Sequence, residues 1–335
     1  MNRVVTIGSI CQDIFFPTRE AIFLSTPDDV LAQKKIAFEL GAKYAIEERY
    51  ESLGGNSVNV AVGLSKLDEK VGACTTIGDD MVGKWILEEL KKTGVDISLV
   101  SEQPDCKSDL SAIVVDNNDS DRVIFSSHVA NKKLSFDANL IGNPEWIFIG
   151  DLSGLWQKIT DEVISFSKKR NIAIAFNPRQ KTIHEDVSKI LETIKNTQLL
   201  FVNKDEAMEI ISGSEFGAVI ELLENEKYLL KKMHELGAQT VIVTDGQRGA
   251  WGFDGKKMLH AEAVSQFVVD TTGAGDAFTS GFFAAFLKNL GLETSLKWGI
   301  SNSSSSILEY GGQAGLLNED EIKEFSKKVK VSSIN

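Results

Sequence analysis

The sequence predicts an α/β protein with a doubly wound, mostly parallel β-sheet that is flanked by helices. Short, β-branched and nearly all-apolar runs alternate along the chain with longer stretches of helical periodicity. Strands that are apolar on both sides are typical of a parallel sheet covered on both faces. With 335 residues, 42% of them hydrophobic, the chain can bury one large core of this kind.

The order of these elements follows from the periodicity alone. The predicted strands are Val4–Ile7, Val71–Ile77, Trp146–Ile149, Ile172–Phe176, Leu199–Val202 and Thr240–Val243. The predicted helices are Val58–Leu67, Val82–Lys92, Thr160–Lys169, Asp205–Ile211, Tyr228–Leu236 and Ala277–Leu290.

Two stretches interrupt the alternation. Asp13–Ser52 is a long insertion after the first strand, and Ser108–Ser127 holds a hairpin of Ser111–Val115 and Arg122–Ser126. We predict one domain over residues 1–335, with a small β-rich lid formed by residues 13–53 and 107–128. Long insertions in compact domains are often functional, but a peripheral extension without a role is the alternative.

Composition excludes several classes of partner. A net charge of −12 argues against a nucleic-acid or anionic-membrane binder, which needs a basic surface. The three scattered cysteines and the strand-like N-terminus indicate a reduced, cytoplasmic protein. No apolar run reaches the roughly 18 residues of a membrane span.

One segment, Asp270–Asp276, carries the clearest chemical signal. A strand end is followed by Gly273, Ala274 and Gly275 and then by an amphipathic helix. Glycines at a helix start let backbone N–H groups converge on an anion, and Asp276 in the first turn can act as a base toward a nearby hydroxyl. We expect the helix start to keep Asp276 ionised at neutral pH. An ordinary turn with a favourable helix-start acid is the alternative.

Two motifs resemble the signatures of one family. Asp270–Gly281 resembles the C-terminal signature of the ribokinase-like (PfkB-type) sugar kinases. Gly54–Gly63, continuing to Asp80 and Gly83, resembles their N-terminal signature, in the same order and spacing. The resemblance implies a ribokinase-like fold and ATP-dependent phosphorylation of a hydroxymethyl group of a sugar. It makes Asp276 the base and the N–H groups of residues 273–275 the anion hole.

The resemblance also implies residues for the nucleotide and its metal ions. Asn203 would lie near the phosphates, and Glu206 would organise Mg²⁺ through water. An Asn cap on a helix is the alternative for this pair. The remaining nucleotide residues would be Thr244, Gly246, Gly249 and, near the adenine, Asn302. A monovalent cation such as K⁺ would lie beside Asp270 and the carbonyl of Thr272, with the turn 310–312 on its other side.

For the acceptor, the resemblance places Asp13 on the hydroxyl groups of the sugar. Gly54, Gly55, Asn56 and Asn59 would form the opposite wall. Ribokinases usually carry Asn where this chain has Cys11 and Lys where it has Asn56, which argues against ribose itself. The loop 54–59 lacks a basic cluster, so we expect an unphosphorylated polyol, with Asp151 or Ser153 in place of the ribokinase glutamate.

Other functions fit the sequence less well. A nucleoside kinase is the nearest alternative, and a non-catalytic sensor with the same fold is a second. A nicotinamide-dependent oxidoreductase lacks its G-x-G-x-x-G motif here, and Gly78–Lys84 fails as a P-loop because Trp85 replaces the hydroxyl residue. We also expect that an exposed lid sheet could pair with a second copy of the chain.

Overall fold

Two β-sheets of unequal size organise the chain. The computed structural model describes residues 2–20, 22–25, 34–116, 122–217, 219–264 and 267–334. Within these ranges the chain forms a ten-stranded sheet, a four-stranded sheet and a separate two-stranded hairpin. None of the helices in these ranges is both long and apolar enough to cross a membrane.

The strands are numbered in chain order. They are β1 (Val4–Ile7), β2 (Cys11–Thr18), β3 (Ile22–Ser25), β4 (Lys34–Ala37), β5 (Tyr50–Gly54), β6 (Val71–Gly78), β7 (Val100–Gln103), β8 (Leu110–Asp116), β9 (Arg122–Ser127), β10 (Trp146–Ile149), β11 (Ala173–Phe176), β12 (Leu199–Asn203), β13 (Thr240–Thr244), β14 (Ala250–Phe253), β15 (Met258–Ala261) and β16 (Val331–Ser333).

The α-helices are numbered in the same way. They are α1 (Asn56–Lys66), α2 (Met81–Lys92), α3 (Ala138–Ile141), α4 (Trp156–Arg170), α5 (Gln180–Glu185), α6 (Val187–Ile194), α7 (Lys204–Ser212), α8 (Ile220–Leu223), α9 (Glu226–Glu235), α10 (Ala274–Leu287), α11 (Gly291–Ser306) and α12 (Glu319–Phe325).

The large sheet has the predicted doubly wound, mostly parallel form. Its strand order is β16-β15-β14-β13-β12-β11-β10-β1-β6-β7, and the pairs from β13 through β7 are parallel. The chain moves from β1 to β6 on one side and later to β10 on the other. The order therefore reverses at β1, and ligands of such sheets bind outside the carboxyl ends of the strands at this switch point.

Alternation along each strand fills two cores. Val4 and Phe148 contribute to the core under α1, α10 and α11, whereas Val5 and Ile147 contribute to the core under α4, α6, α7 and α9. This two-sided burial explains why the parallel strands read as continuous apolar runs.

The predicted elements of the large sheet are all present, with shifted ends. The helix predicted over Thr160–Lys169 lies inside the longer α4. The helix predicted to reach Leu290 ends at Leu287, because Asn289 adopts a left-handed backbone with φ 57°. The antiparallel strands β14–β16 and the parallel edge strand β7 lie outside the predicted set.

The four-stranded sheet is the lid-like element. Its order is β5-β2-β8-β9, and the predicted hairpin is the antiparallel pair β8/β9. β2 begins at Cys11, two residues before the predicted insertion. The sheet has a small core of its own, formed by Phe15, Ile113 and Val115 against Tyr310.

Candidate active site

Close packing of α1 against α10 brings the two signature motifs together. A Cβ atom at Gly63 would overlap the side chain of Ser280, so only glycine permits this approach. Both helices begin at the carboxyl edge of the large sheet, where Asn56 and Asn59 on α1 meet Asp276 on α10.

The carboxylate of Asp276 is held by two amides. Nδ2 of Asn56 donates to Oδ1 of Asp276 at 2.7 Å, and Nδ2 of Asn59 donates to Oδ2 at 2.8 Å. Asn56 also donates to Oδ1 of Asn177 and accepts from the N–H of Asp151, while Asn59 accepts from Nε2 of Gln313. The two asparagines expected on the acceptor therefore orient the acid that faces it.

Burial raises the pKa of Asp276 to about 6, although the hydrogen bonds from Asn59 and Asn56 lower it. The nearby carboxylates of Asp151 and Asp13 raise this pKa further. The pKa of Asp276 is thus higher than that of an ordinary aspartate, because desolvation outweighs the helix dipole. A pKa near 6 still leaves the group mostly ionised at neutral pH and able to take a proton.

The loop before α10 presents backbone N–H groups to the site. Gly273 caps the helix with φ 73°, and a Cβ there would lie 2.5 Å from Cα of Gly312. The N–H of Ala274 donates to the carbonyl of Thr271 at 3.3 Å, so it is partly engaged. The N–H groups of Gly273 and Gly275 have no acceptor among the described residues, as expected for a helix start. These two are therefore the better donors for an anion.

A polar cavity of about 300 Å³ opens in front of Asp276. The amides of Asn56, Asn177 and Asn203 and the carboxylates of Asp151 and Glu206 share it with Asp276. Further lining residues are Pro178, Arg179, Phe201, Val202, Thr244, Gly275 and Thr279.

Asn203 and Glu206 form a reciprocal cap at the start of α7. Oδ1 of Asn203 accepts from the N–H of Glu206 at 2.8 Å, and Oε2 of Glu206 accepts from the N–H of Asn203 at 2.9 Å. Both side chains also line the cavity, so the cap and the ligand roles are compatible. Burial raises the pKa of Glu206 to about 7, and Glu209, Asp205 and Asp276 add to the effect. A cation beside Glu206 would relieve this accumulation of negative charge.

No group of three or more His, Cys, Asp or Glu side chains that could hold a metal ion occurs among the described residues. Mg²⁺ usually keeps several waters and binds through one or two carboxylates together with substrate phosphates. The single carboxylate of Glu206 fits that mode of binding.

The three residues predicted for the nucleotide in the loop after β13 have different surroundings. Thr244 lines the polar cavity, and Gly246 lines a second cavity. Gly249 lines neither of these cavities. Its N–H donates to Gly246, its carbonyl accepts from Asp245, and a Cβ would overlap the carbonyl of Ala261. Gly249 closes the turn, and its assignment to the nucleotide stays a prediction.

The second cavity has a volume of about 420 Å³ and is largely apolar. One face of α11 supplies Ile300, Ser303, Ser304 and Ile307. The other walls comprise Gly246, Gln247, Ala263, Val264, Val268, Thr271 and Ala274. This cavity has the size and the lining of a site for a planar nucleobase.

Asn302 lies on the opposite face of α11 and is fully buried. Its Nδ2 donates to the carbonyl of Ala277 and to Oγ of Ser280, and its Oδ1 accepts from the N–H of Leu317. The expected contact between Asn302 and adenine is therefore wrong, because the helical period turns this residue inward while Ser303 faces the cavity.

Hydrogen bonds to Asp270 connect the loop before α10 to the turn at Gly311. Its Oδ1 accepts from the N–H and Oγ1 of Thr272, and its Oδ2 accepts from the N–H of Gly311 at 3.0 Å. The carboxylate is 1% exposed and forms no ion pair with a described residue. A buried carboxylate in this state fits a cation close by.

Asp13 lies in β2 of the small sheet and is buried. Its Oδ1 accepts from the thiol of Cys11 at 3.2 Å, and a Cβ at Gly54 would overlap its carboxylate. Burial raises the pKa of Asp13, while the thiol and Ser111 lower it. Gly55 caps α1 with φ 99°, and a Cβ there would overlap the carbonyl of Ser9. Close packing thus requires Gly54 beside Asp13 and Gly55 beside the backbone of Ser9.

Asp151 follows β10 on the other side of β1. Nη1 of Arg179 lies 3.1 Å from both oxygens of Asp151, and Oγ of Ser9 donates to Oδ2 at 3.3 Å. Burial raises the pKa of Asp151, whereas Arg179 and His128 lower it.

Sequence reasoning missed Asn177 and Gln313. Asn177 accepts from Asn56 and donates to the carbonyl of Phe201, and Gln313 supports Asn59. Asn177 carries a readable signal, because a polar residue directly after a buried strand lies at the carboxyl edge of the sheet.

The comparisons with known proteins identify the family of the chain. A family model described as pfkB family carbohydrate kinase matches residues 1–319. The chain is 26% identical over 297 residues to the ATP-dependent 6-phosphofructokinase of Thermoanaerobacterium thermosaccharolyticum, covering 86% of this chain and 89% of that protein. It is 25% identical over 276 residues to the deoxyribokinase of Salmonella typhi, covering 81% and 87%.

Among solved structures, the chain is similar to Arabidopsis thaliana ribokinase complexed with ribose and ATP. The TM-score is 0.76 at 20% identity, and the match covers 98% of this chain and 99% of that one. This likeness confirms the ribokinase-like fold. The matching family model spans nearly the whole chain, so the protein belongs to the pfkB family of carbohydrate kinases, which are phosphotransferases.

Proposed function

We propose that this protein transfers a phosphoryl group from ATP to a hydroxymethyl group of an unphosphorylated sugar. The observation that carries the proposal is the position of Asp276, which two amides hold at the mouth of a polar cavity beside a helix start. The proposed base Asp276, the helix start at Gly275 and the carboxylate of Glu206, which suits a cation, thus line one cavity.

In this reaction Asp276 accepts the proton of the acceptor hydroxyl as its oxygen bonds to the γ-phosphorus. The bond from that phosphorus to the bridging oxygen breaks, and ADP leaves. The N–H groups of Gly273 and Gly275 hold the negative charge on the phosphoryl oxygens. The positioning of Asp276 by Asn56 and Asn59 keeps its oxygens directed at the acceptor.

The nucleotide would span the two cavities. Its base fits the apolar cavity beside Ser303, and its phosphates fit the polar cavity beside Asn203 and Thr244. Glu206 would hold Mg²⁺ through water, and the ion neutralises phosphate charge when bound. Asp270 and the carbonyl of Thr272 would lie beside a monovalent cation.

The acceptor would lie between Asp13 and Asp151. Two carboxylates can accept hydrogen bonds from several hydroxyl groups, but they repel a phosphate. A neutral polyol therefore suits this wall better than a sugar phosphate. The names of the relatives do not decide the point, since one is a 6-phosphofructokinase and another a deoxyribokinase.

The test is an ADP-release assay over neutral sugars, sugar phosphates and nucleosides, with the Asp276→Asn variant beside the wild type. We expect turnover with a neutral sugar and a loss of about 10³-fold or more in the variant. Asp105→Asn is the matched control, because Asp105 is exposed and has a backbone φ of 51°, which asparagine tolerates. Full turnover by Asp276→Asn would exclude it as the base, and activity confined to nucleosides would replace the sugar by a nucleoside.

The small sheet also supports a proposal about assembly. β9 is its edge strand and exposes Ile124 (45%) and Phe125 (64%). Pairing of two such edges would give a homodimer and cover both side chains. A light-scattering mass of two chains that falls to one chain in Phe125→Asp would support this, and a monomeric wild type would refute it.

A further inference from the structure

We propose that Arg179, which lines the same polar cavity as Gly275 and Asp276, binds the terminal phosphoryl group of the nucleotide. The inference rests on the proposed kinase function and adds a phosphoryl-binding residue to it. The structural basis is the position of Arg179 in the lining of this cavity, in contact with the carboxylate of Asp151.

The charge of the cavity requires a partner for phosphate. Asp151, Glu206 and Asp276 line it, and Arg179 is the only lysine or arginine among the described residues that do so. Three carboxylates at close range disfavour the entry of a polyphosphate. A cation at Glu206 would offset part of this charge, and the guanidinium of Arg179 offsets more while adding directed donors.

The guanidinium of Arg179 has N–H groups that remain available to a ligand. Nη1 makes the contact with both oxygens of Asp151, and neither Nε nor Nη2 donates to a residue in the described part of the chain. The side chain is 35% exposed and lines the cavity. A guanidinium presents five N–H donors in a fork that matches phosphate oxygens.

The backbone places this side chain firmly. Arg179 follows β11 by three residues and lies just before α5, where its N–H and carbonyl both bond to Oγ1 of Thr182. Asn177, two residues earlier, is fixed by Asn56 and by the carbonyl of Phe201. The same Asn56 holds Asp276, so one network sets the positions of the base and of the arginine.

A role limited to holding Asp151 is the competing explanation. In that case Arg179 would act on the acceptor only, and removing Asp151 would have the same consequences as removing Arg179. A phosphoryl-binding role predicts different consequences, because the affinity for the terminal phosphate would depend on Arg179 and not on Asp151.

The test measures the binding of MgADP and of the magnesium complex of the ATP analogue AMP-PNP by isothermal titration calorimetry. Their ratio of dissociation constants reports the contribution of the terminal phosphate. We expect Arg179→Gln to reduce the preference for AMP-PNP by about tenfold or more, and Arg179→Lys to retain part of it. Asp151→Asn should leave the preference at or above the wild-type value.

Arg170→Gln provides the matched control. Arg170 ends α4 before β11, at the opposite edge of the sheet, and donates to the carbonyl of Gly142. An unchanged preference in Arg179→Gln, or an equal loss in Asp151→Asn, would overturn the inference and leave the proposed kinase function intact. A wild type that binds neither nucleotide would overturn both.

Discussion

Nδ2 of Asn59 donates to Oδ2 of Asp276 at 2.8 Å, across 217 residues of sequence. The bond joins the N-terminal signature to the C-terminal one and stabilises the ionised form of the acid. It therefore lowers the pKa of Asp276 against the larger effect of burial, which raises that pKa to about 6.

The first prediction concerns the pH dependence of the rate. A base must be deprotonated to act, so kcat/KM should fall tenfold per pH unit below about pH 6. Asn59→Leu removes a hydrogen bond to the ionised form and should move this acidic limb to higher pH. The measurement is a kcat/KM profile from pH 5 to 9.

Gln313→Met is the control for this prediction. It removes the donor to Oδ1 of Asn59 but leaves the bond from Asn59 to Asp276 in place. We expect a smaller displacement of the limb in this variant. A limb that stays in place in Asn59→Leu would assign the ionisation to another group, such as Glu206, whose pKa is about 7.

The second prediction concerns the cost of burying Glu206. Its pKa rises from 4.5 unfolded to about 7 folded, so its ionisation removes stability as the pH rises through this window. Glu206→Gln should therefore raise the Tm at pH 8 by about 2–5 °C and change it little at pH 4.5. Thermal scans without nucleotide or metal measure this.

A control of opposite sign is Glu319→Gln. Hydrogen bonds from Lys288 and Lys323 lower the pKa of Glu319, so its charge stabilises the fold at pH 8 and this variant should not raise the Tm. Glu206→Gln should also need more Mg²⁺ for half-maximal activity, since an uncharged amide binds the ion more weakly. A Tm that falls equally at both pH values would mean that the cap with Asn203 outweighs the charge.

The sequence was sufficient for the inner parallel strands, whereas the parallel edge strand β7 was not predicted. Strands such as Trp146–Ile149 are uniformly apolar because both faces are covered, and the predicted ends of Val4–Ile7 and Trp146–Ile149 coincide with the structure. β15 and β16 gave no comparable signal, since a short edge strand such as Val331–Ser333 depends on its neighbour for definition.

For the site, the spacing of the motifs predicted which residues lie close together but not which atoms form hydrogen bonds with one another. The motifs brought Asp276, Asn56 and Asn59 to one place, whereas the hydrogen bonds between them depend on the approach of α1 to α10 at Gly63. Asn302 shows the limit most directly. A shift of one residue on a helix turns a side chain by about 100°, which separates the buried Asn302 from Ser303 in the cavity wall.

The third prediction tests whether the second, largely apolar cavity binds the adenine of ATP. Ser303→Phe places a ring into a space of about 420 Å³ and should raise the KM for ATP about tenfold or more, with little change in the KM for the acceptor. Steady-state kinetics with each substrate varied in turn measure this. Ser303→Ala, which adds no volume, should behave as the wild type. An unchanged KM for ATP in Ser303→Phe would mean that the adenine of ATP binds elsewhere.

The fourth prediction concerns the connection of the small sheet to the large one. Asn131 is buried, accepts from the N–H of Ile10 at 3.1 Å and donates to the carbonyl of Ile10 at 2.8 Å. It also donates to Oδ2 of Asp109 at 2.7 Å, and Oδ1 of Asp109 accepts from the N–H groups of Val129 and Ala130. These bonds join the three chain segments that enter or leave the small sheet at β2, β8 and β9.

Asn131→Ala should therefore lower the free energy of unfolding by about 2–3 kcal/mol, because it leaves a buried carboxylate oxygen and two backbone groups of Ile10 unpaired. Chemical denaturation followed by circular dichroism measures the change. Asn139→Ala is the control, since Asn139 is exposed on α3 and its change should stay within about 0.5 kcal/mol. Equal stabilities of the two variants would mean that water replaces the lost bonds, and the network around Asp109 would then not fix the small sheet to the large one.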